Sequence, residues 1–273
     1  MVRALAAMLG VLGLVATAPA GSSWLVAAHR GGAALWPENS PMAFRSAVAL
    51  GVDALEFDVH LTADGEPVVI HDATLERTTT GHGAVADTTL AQLRTLRLRG
   101  RDGGVTHESV PTLAEVLDTA GPPVQVLPEI KTARGGRRYP GVEEKVLAAL
   151  AARRFGERAT IQAFDEATIR RVRELEPTQR TMLLVSGRRL ESARAEATEA
   201  VRWASALGAT DLGMDHRLVD ARVIAAAGSA RIRLSAWTVN TEADLRRLLD
   251  LGVDLVMSDH PDLALRLAGR GRP

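Results

Sequence analysis

Leu50-Gly51-Val52-Asp53-Ala54-Leu55-Glu56-Phe57-Asp58 reads as the end of a helix, a glycine turn, an apolar strand and an acid at the strand's carboxyl end. Glycine after an apolar helix end can take the left-handed conformation that stops a helix. The same order returns far along the chain as Leu251-Gly252-Val253-Asp254-Leu255-Val256-Met257-Ser258-Asp259. Units of strand and helix resemble one another in any case, so the echo serves to place residues and does not by itself establish a repeat. It sets Asp58 and Asp259 at equivalent heights, near the face where a parallel barrel carries its chemistry.

Working outward, short apolar runs alternate with amphipathic stretches, the pattern of repeated βα units around a parallel sheet. Candidate strands are Leu25–Ala28, Ala54–Val59, Val124–Ile130, Thr160–Ala163, Met182–Val185, Asp211–Met214, Leu234–Val239 and Leu255–Ser258. Eight of them favour a closed α/β barrel, the TIM (β/α)8 form, over an open doubly wound sheet. Thr112 with Glu115 and Thr241 with Asp244 have capping-box spacing at helix starts. One segment breaks the alternation: residues 73–106 are turn-rich and arginine-rich, with a short helix near Thr89–Leu96. A loop of that length between barrel elements is usually functional, and it reads as a small lid over the mouth.

The chain has 273 residues, 46% hydrophobic and 24% charged, enough for one domain with one substantial core. Lys+Arg and Asp+Glu are each 33, so no basic excess exists to hold nucleic acid or an anionic membrane. Arg3, the apolar run from Ala4 to Ala16, and Ala18-Pro19-Ala20 before Gly21 read as a signal peptide over residues 1–20, with 21–273 as the exported chain. The competing reading is an uncleaved anchor helix, which the run disfavours because it is shorter than the ~20 apolar residues of a membrane span. An extracytoplasmic or secreted location follows, with no stable membrane insertion after cleavage. Cysteine is absent, so no disulfide supports the fold. Nothing in the sequence fixes an oligomeric state.

The chemistry-bearing residues sit at the strand ends. His29-Arg30-Gly31-Gly32 follows the first strand; glycines admit a ligand close to the backbone, Arg30 can fork onto an oxyanion, and His29 can move a proton near neutral pH. Glu56 and Asp58 share one strand face. Their burial calls either for a hard divalent cation with oxygen ligands or for a salt bridge to Arg30 or another arginine. Glu129 adds a third carboxylate, and beside it stands Lys131, one of only two lysines in an arginine-rich chain. A plain Glu129–Lys131 salt bridge is the alternative there. His71, next to Asp72, is a second histidine, and with His29 it supplies one base and one acid. His60, His82, His107, His216 and His260 are expected in surface or turn roles.

The ordered set His29-Arg30-Gly31, Pro37-Glu38-Asn39, Glu56-Phe57-Asp58, His71-Asp72, Arg77-Thr78-Thr79 with Gly81 and Gly83, Pro111-Thr112-Leu113, Glu129-Ile130-Lys131, Trp237-Thr238-Val239-Asn240 and Ser258-Asp259-His260-Pro261 resembles the glycerophosphodiester phosphodiesterase family over nearly the whole exported chain. The resemblance implies a barrel with a small subdomain inserted after the second strand's hairpin. It implies His29 and His71 as the acid/base pair, Arg30 and Lys131 on the phosphate, and Glu56, Asp58 and Glu129 on one divalent metal ion, Ca2+ or Mg2+. Trp237 would line the substrate pocket. The chain departs from the family at Gln162-Ala163-Phe164-Asp165, where a serine is common before the phenylalanine, which leaves Phe164 as an apolar wall.

The implied reaction is hydrolysis of a small-molecule glycerophosphodiester to an alcohol and sn-glycerol 3-phosphate, by water directly or through a cyclic phosphate. Two alternatives stand beside it. A phospholipase D-like enzyme acting on intact lipids would need an apolar mouth, against 3% aromatic residues here. A secreted binding protein would need no acid/base pair.

Overall fold

The computed structural model describes residues 24–270. Residues 1–20, expected to be a signal peptide, lie outside them. Along the chain run β1 (Leu25–Ala28), α1 (Pro41–Leu50), β2 (Ala54–Leu61), β3 (Pro67–Val69), α2 (Leu90–Thr95), α3 (Leu113–Thr119), β4 (Gln125–Ile130), α4 (Val142–Ala152), β5 (Thr160–Ala163) and α5 (Glu166–Leu175). Then follow β6 (Arg180–Val185), α6 (Gly187–Ala193), α7 (Glu199–Ala206), β7 (Asp211–Asp215), α8 (Ala221–Ala230), β8 (Arg233–Trp237), α9 (Glu242–Leu251), β9 (Leu255–Ser258) and α10 (Pro261–Leu267). Apart from β3, all strands run parallel, and β1 pairs with both β2 and β9, so the sheet closes into an eight-stranded (β/α)8 barrel. β3 is an antiparallel hairpin arm on β2.

The two-residue period of β2 sorts its side chains between two compartments. Leu55, Phe57 and Val59 join the apolar layer between strands and helices, where Phe57 meets Phe44 of α1 edge-on at 5.8 Å. Such an aromatic pair adds about 0.5–1.5 kcal/mol beyond its area burial. Ala54, Glu56 and Asp58 point the other way, into the barrel. Its lower interior is plugged by Ala27, Ala54, Leu127, Met182, Leu184, Leu255 and Met257. Gly213 of β7 belongs to that plug, because a Cβ there would stand 2.6 Å from Leu184 Cδ2 and 2.9 Å from Met182 Sδ.

Helix ends follow the expected chemistry. Thr112 and Glu115 form a full capping box at α3, and Thr89 with Gln92 forms another at α2. At α9 the Thr241 side chain accepts from the Asp244 N–H. Gly51 and Gly252 end α1 and α9 with φ of 91° and 82°, the left-handed region open to glycine.

Residues 73–106 leave the barrel after β3 and carry α2. Leu75, Val85, Leu93 and Leu98 of this insertion pack with Val68, Ile70 and Val110 into a separate apolar cluster. Among the described residues no helix is long and apolar enough to cross a membrane.

Several strand boundaries differ from the sequence reading by one or two residues. The strand expected to reach Val239 stops at Trp237. β2 runs past Val59 to Leu61, and that extension corrects the surface or turn role expected for His60: it is only 1% exposed inside the strand.

Candidate active site

Strand register gathers the acids. Asp58 of β2 stands opposite Glu129 of β4, which stands opposite Gln162 of β5. Like charges side by side on adjacent strands repel. Glu56, Asp58 and Glu129 are nevertheless all buried, with one carboxylate oxygen from each lying within 4.8 Å of the others. Lys131 Nζ lies 2.8 Å from Glu129 Oε1 and 3.3 Å from Asp58 Oδ1. Arg30 Nε is 3.6 Å from Asp58 Oδ2. The salt bridges weighed as alternatives to a metal are therefore present, and they leave two cations against three carboxylates.

The excess negative charge shows in the titration of the cluster. Burial, reinforced by Asp58 and Glu129 and opposed by His29, pushes the Glu56 carboxyl up to about 7. Burial also raises Glu129, against the pull of Lys131. Burial pushes Asp58 the same way, but Lys131, His71 and Arg30 overcome it and hold that carboxyl well below its usual range.

The turn after β1 delivers Arg30 and His29. Arg30 takes a left-handed φ of 51°, and its N–H donates to Glu56 Oε2 at 2.8 Å. Gly31 follows with φ of 81°, and a Cβ there would fall 2.8 Å from Ala43 Cβ, so the turn packs on α1 only as glycine. Asn39, with φ of 55°, donates from its side chain to Asp58 Oδ2 at 2.8 Å. Non-glycine residues held at positive φ carry strain that the surroundings must offset, and such residues concentrate at functional sites.

Each of the two histidines has a carboxylate on Nδ1. His29 Nδ1 is 2.6 Å from Asp259 Oδ1, and Asp259 Oδ2 accepts from Asn240 Nδ2 at 2.7 Å. His71 Nδ1 is 2.6 Å from Asp72 Oδ1, because the chain bends after β3 and lets adjacent side chains meet. A carboxylate on Nδ1 fixes the ring and leaves Nε2 for proton transfer. Burial disfavours the His29 cation, but Glu56 and the Asp259 hydrogen bond outweigh it and raise its pKa. Burial, helped by Lys131 and Arg30 and opposed by Asp58 and Asp72, lowers that of His71.

A cavity of about 120 Å³ is lined by both histidines together with Arg30, Glu56, Glu129, Lys131, Phe164 and Trp237. Phe164 is 46% exposed on its rim and meets Trp237 edge-on at 5.4 Å. Asp58 lies beneath, among the cluster residues. The sequence-predicted site residues thus converge on one place.

Several neighbours were given no role by sequence reasoning. Gln162 donates to Glu56 Oε1 at 2.8 Å. Glu38 binds Arg77 through both its oxygens at 2.7 and 2.8 Å and Arg30 at 3.1 Å, while Arg77 also grips Asp72. That chain of ion pairs ties the insertion to the His29 turn and to the partner of His71. His60 Nε2 lies 3.1 Å from the His71 carbonyl and its Nδ1 2.8 Å from the Tyr139 hydroxyl. With burial lowering its pKa to about 4, His60 is neutral, accepts from Tyr139 and donates to the backbone that carries His71. Its signal was parity with Glu56 and Asp58, hidden by placing the strand end two residues too early. The glutamate of Pro37-Glu38-Asn39 and the acid of Ser258-Asp259 were visible as motif residues without partners.

Two carboxylate-held histidines beside a pair of cations suit the cleavage of a phosphate ester, and a (β/α)8 barrel with this mouth falls in the class of phosphoester hydrolases. Residues 29–263 match the Glycerophosphoryl diester phosphodiesterase family, and the chain belongs to that family. A glycerophosphodiester phosphodiesterase of Caldanaerobacter subterraneus subsp. tengcongensis is 33% identical over 253 residues, covering 90% of this chain and 98% of that one. A solved structure from Agrobacterium tumefaciens, whose own assignment to the family is provisional, superposes with a TM-score of 0.83 at 30% identity, covering 90% of this chain and 97% of that one. An Oleispira antarctica phosphodiesterase, solved in complex with the product sn-glycerol-3-phosphate, gives a TM-score of 0.71 at 25% identity and covers 89% of this chain and 96% of that one.

Proposed function

We propose that this chain hydrolyses glycerophosphodiesters to an alcohol and sn-glycerol 3-phosphate, with His29 and His71 as its acid/base pair. The observation that carries this reading is the cavity in which two histidines, each with a carboxylate 2.6 Å from Nδ1, face Glu56, Glu129 and Lys131. Arg30 and Lys131 bind the phosphate oxygens. His71, disfavoured as a cation, takes the proton from the attacking oxygen, which comes from water or from the glycerol's own hydroxyl. His29, favoured as a cation, gives a proton to the departing alcohol as its P–O bond breaks. Trp237 and Phe164 wall the glycerol. The Trp237 indole N–H is buried without a partner among the described residues and suits a substrate hydroxyl.

Glu56, Asp58 and Glu129 fit a hard divalent cation, Ca2+ or Mg2+. The donors are all oxygen, and burial, reinforced by the neighbouring carboxylates, raises Glu56 and Glu129, a cost that a bound cation would relieve. Beside them the buried amide oxygens of Gln162 and Asn39 have no partner among the described residues. Such an ion supplies positive charge to the phosphate and lowers the pKa of an oxygen nucleophile. In the same reading residues 73–106 act as a lid held by the Glu38–Arg77 pair, and residues 1–20 are removed on export. Amino-terminal sequencing of protein recovered outside the cytoplasm should then begin at Gly21.

The test is release of glycerol phosphate from glycerophosphocholine and glycerophosphoethanolamine, with and without a chelator. His29→Ala should lower kcat/KM by about 100- to 10,000-fold. Undiminished release by that variant would refute the acid/base assignment, and indifference to the chelator would refute the metal.

A further inference from the structure

We infer that the cleft between the insertion and the barrel mouth is the subsite for the alcohol half of the diester, and that it selects alcohols carrying a further negative charge. The inference rests on the function proposed above. The cleft has a volume of about 560 Å³ and adjoins the small cavity at His29, Arg30 and Thr238, which line both. A glycerol phosphate seated in the small cavity places its ester bond at that boundary. The alcohol leaving beside His29 then lies in the cleft.

The charge of the cleft is unbalanced. Its carboxylates are already engaged: Glu38 by Arg30 and Arg77, and Asp259 by His29 and Asn240. The insertion adds two further guanidinium groups, Arg99 and Arg101, and among the described residues neither forms an ion pair. Both are held by backbone carbonyls instead. Arg99 donates to Thr79 O at 2.9 Å and Gly103 O at 3.2 Å, while Arg101 donates to Ala34 O at 2.8 Å across the cleft's edge. These contacts use only part of each five-donor fork, so the groups are positioned with N–H to spare and a full charge each. A second phosphate in the alcohol meets complementary charge there. An ammonium head group finds no free carboxylate in the cleft and meets repulsion.

The experiment compares glycerophosphoglycerol with bis(glycerophospho)glycerol, in which the leaving alcohol carries one more phosphodiester. The second substrate has two equivalent bonds, so equal recognition gives a kcat/KM ratio of two. At low ionic strength the wild type should favour it by about tenfold or more, and added salt should compress the preference. Arg99→Gln with Arg101→Gln should bring the ratio close to two, and lysine at both positions should restore most of it. Release from glycerophosphoglycerol with a wild-type ratio of two or less overturns the subsite and leaves the proposed function standing. A high ratio that survives the double glutamine variant overturns the assignment to these arginines. Release from neither substrate overturns the proposed function, and the subsite falls with it.

Discussion

The two ends of the barrel use the same residue types to opposite effect. At the lower end, Asp53 accepts from Val26 N at 2.7 Å and from Arg270 at 2.6 Å, and Asp254 accepts from Leu234 N at 2.8 Å. These are the matching acids of the two Gly-Val-Asp turns, and each fastens a neighbouring strand. Asp211 is 2% exposed and takes Arg180 at 2.8 and 3.0 Å and the Thr210 hydroxyl at 2.6 Å. At the mouth, Glu56, Asp58 and Glu129 crowd one another with too few cations. Lower-end acids complete the fold, whereas mouth acids strain it in order to hold charge in readiness.

That contrast can be broken from either end. The largest effect is expected from Glu56→Gln, which should cost at least about 100-fold in kcat/KM. Measured with chelator near pH 8, the same variant should melt about 2–5 °C higher, since it removes a buried charge while the Gln162 amide can turn its oxygen to accept. A variant that keeps wild-type activity would remove Glu56 from the site. Asp211→Asn should do the reverse, losing roughly 2–3 kcal/mol in denaturant melts with kcat/KM within about twofold. A loss of turnover without a loss of stability there would erase the distinction between the two ends.

The smallest effect lies in pH. Glu56 has its folded pKa raised from 4.5 to about 7, so the folded state holds that proton more tightly than the unfolded chain. The associated stability is fully present below pH 4.5 and is lost as pH rises towards about 7. His29, also raised, adds a loss of the same sign only above pH 6.5, whereas His60, lowered to about 4, adds a gain of the opposite sign between about pH 4 and 6.5. The melting temperature of chelator-treated wild type should therefore fall by several degrees relative to that of Glu56→Gln over this window. A difference between the two that stays constant there would contradict the crowding of the three acids.

How much of this was legible follows the range of each interaction. The eight parallel strands, the inserted segment, the caps at Thr112 and Thr241 and the three acids depend on local pattern, and all could be read along the chain. The partner of His71 is the adjacent Asp72, which an extended chain would point away and the bend after β3 brings to it. His60 was misread through a strand boundary set at Val59 when the hairpin with β3 prolongs β2 to Leu61. The long-range partners carried no local signal. His29 and Asp259 are 230 residues apart, and Glu56 and Gln162 are 106 apart.

By itself the sequence determined that strands alternate with helices, which side chains share a strand face, and that acids, histidines, an arginine and a lysine stand at strand ends. Those are consequences of backbone periodicity and turn chemistry, which act over a few residues. Only the closed barrel decided which carboxylate holds which histidine, that two cations serve three acids, and that Arg99 and Arg101 reach the mouth without an acid of their own. Register across strands and the docking of the insertion set those distances, and charge interactions depend on distance through space and not on separation along the chain.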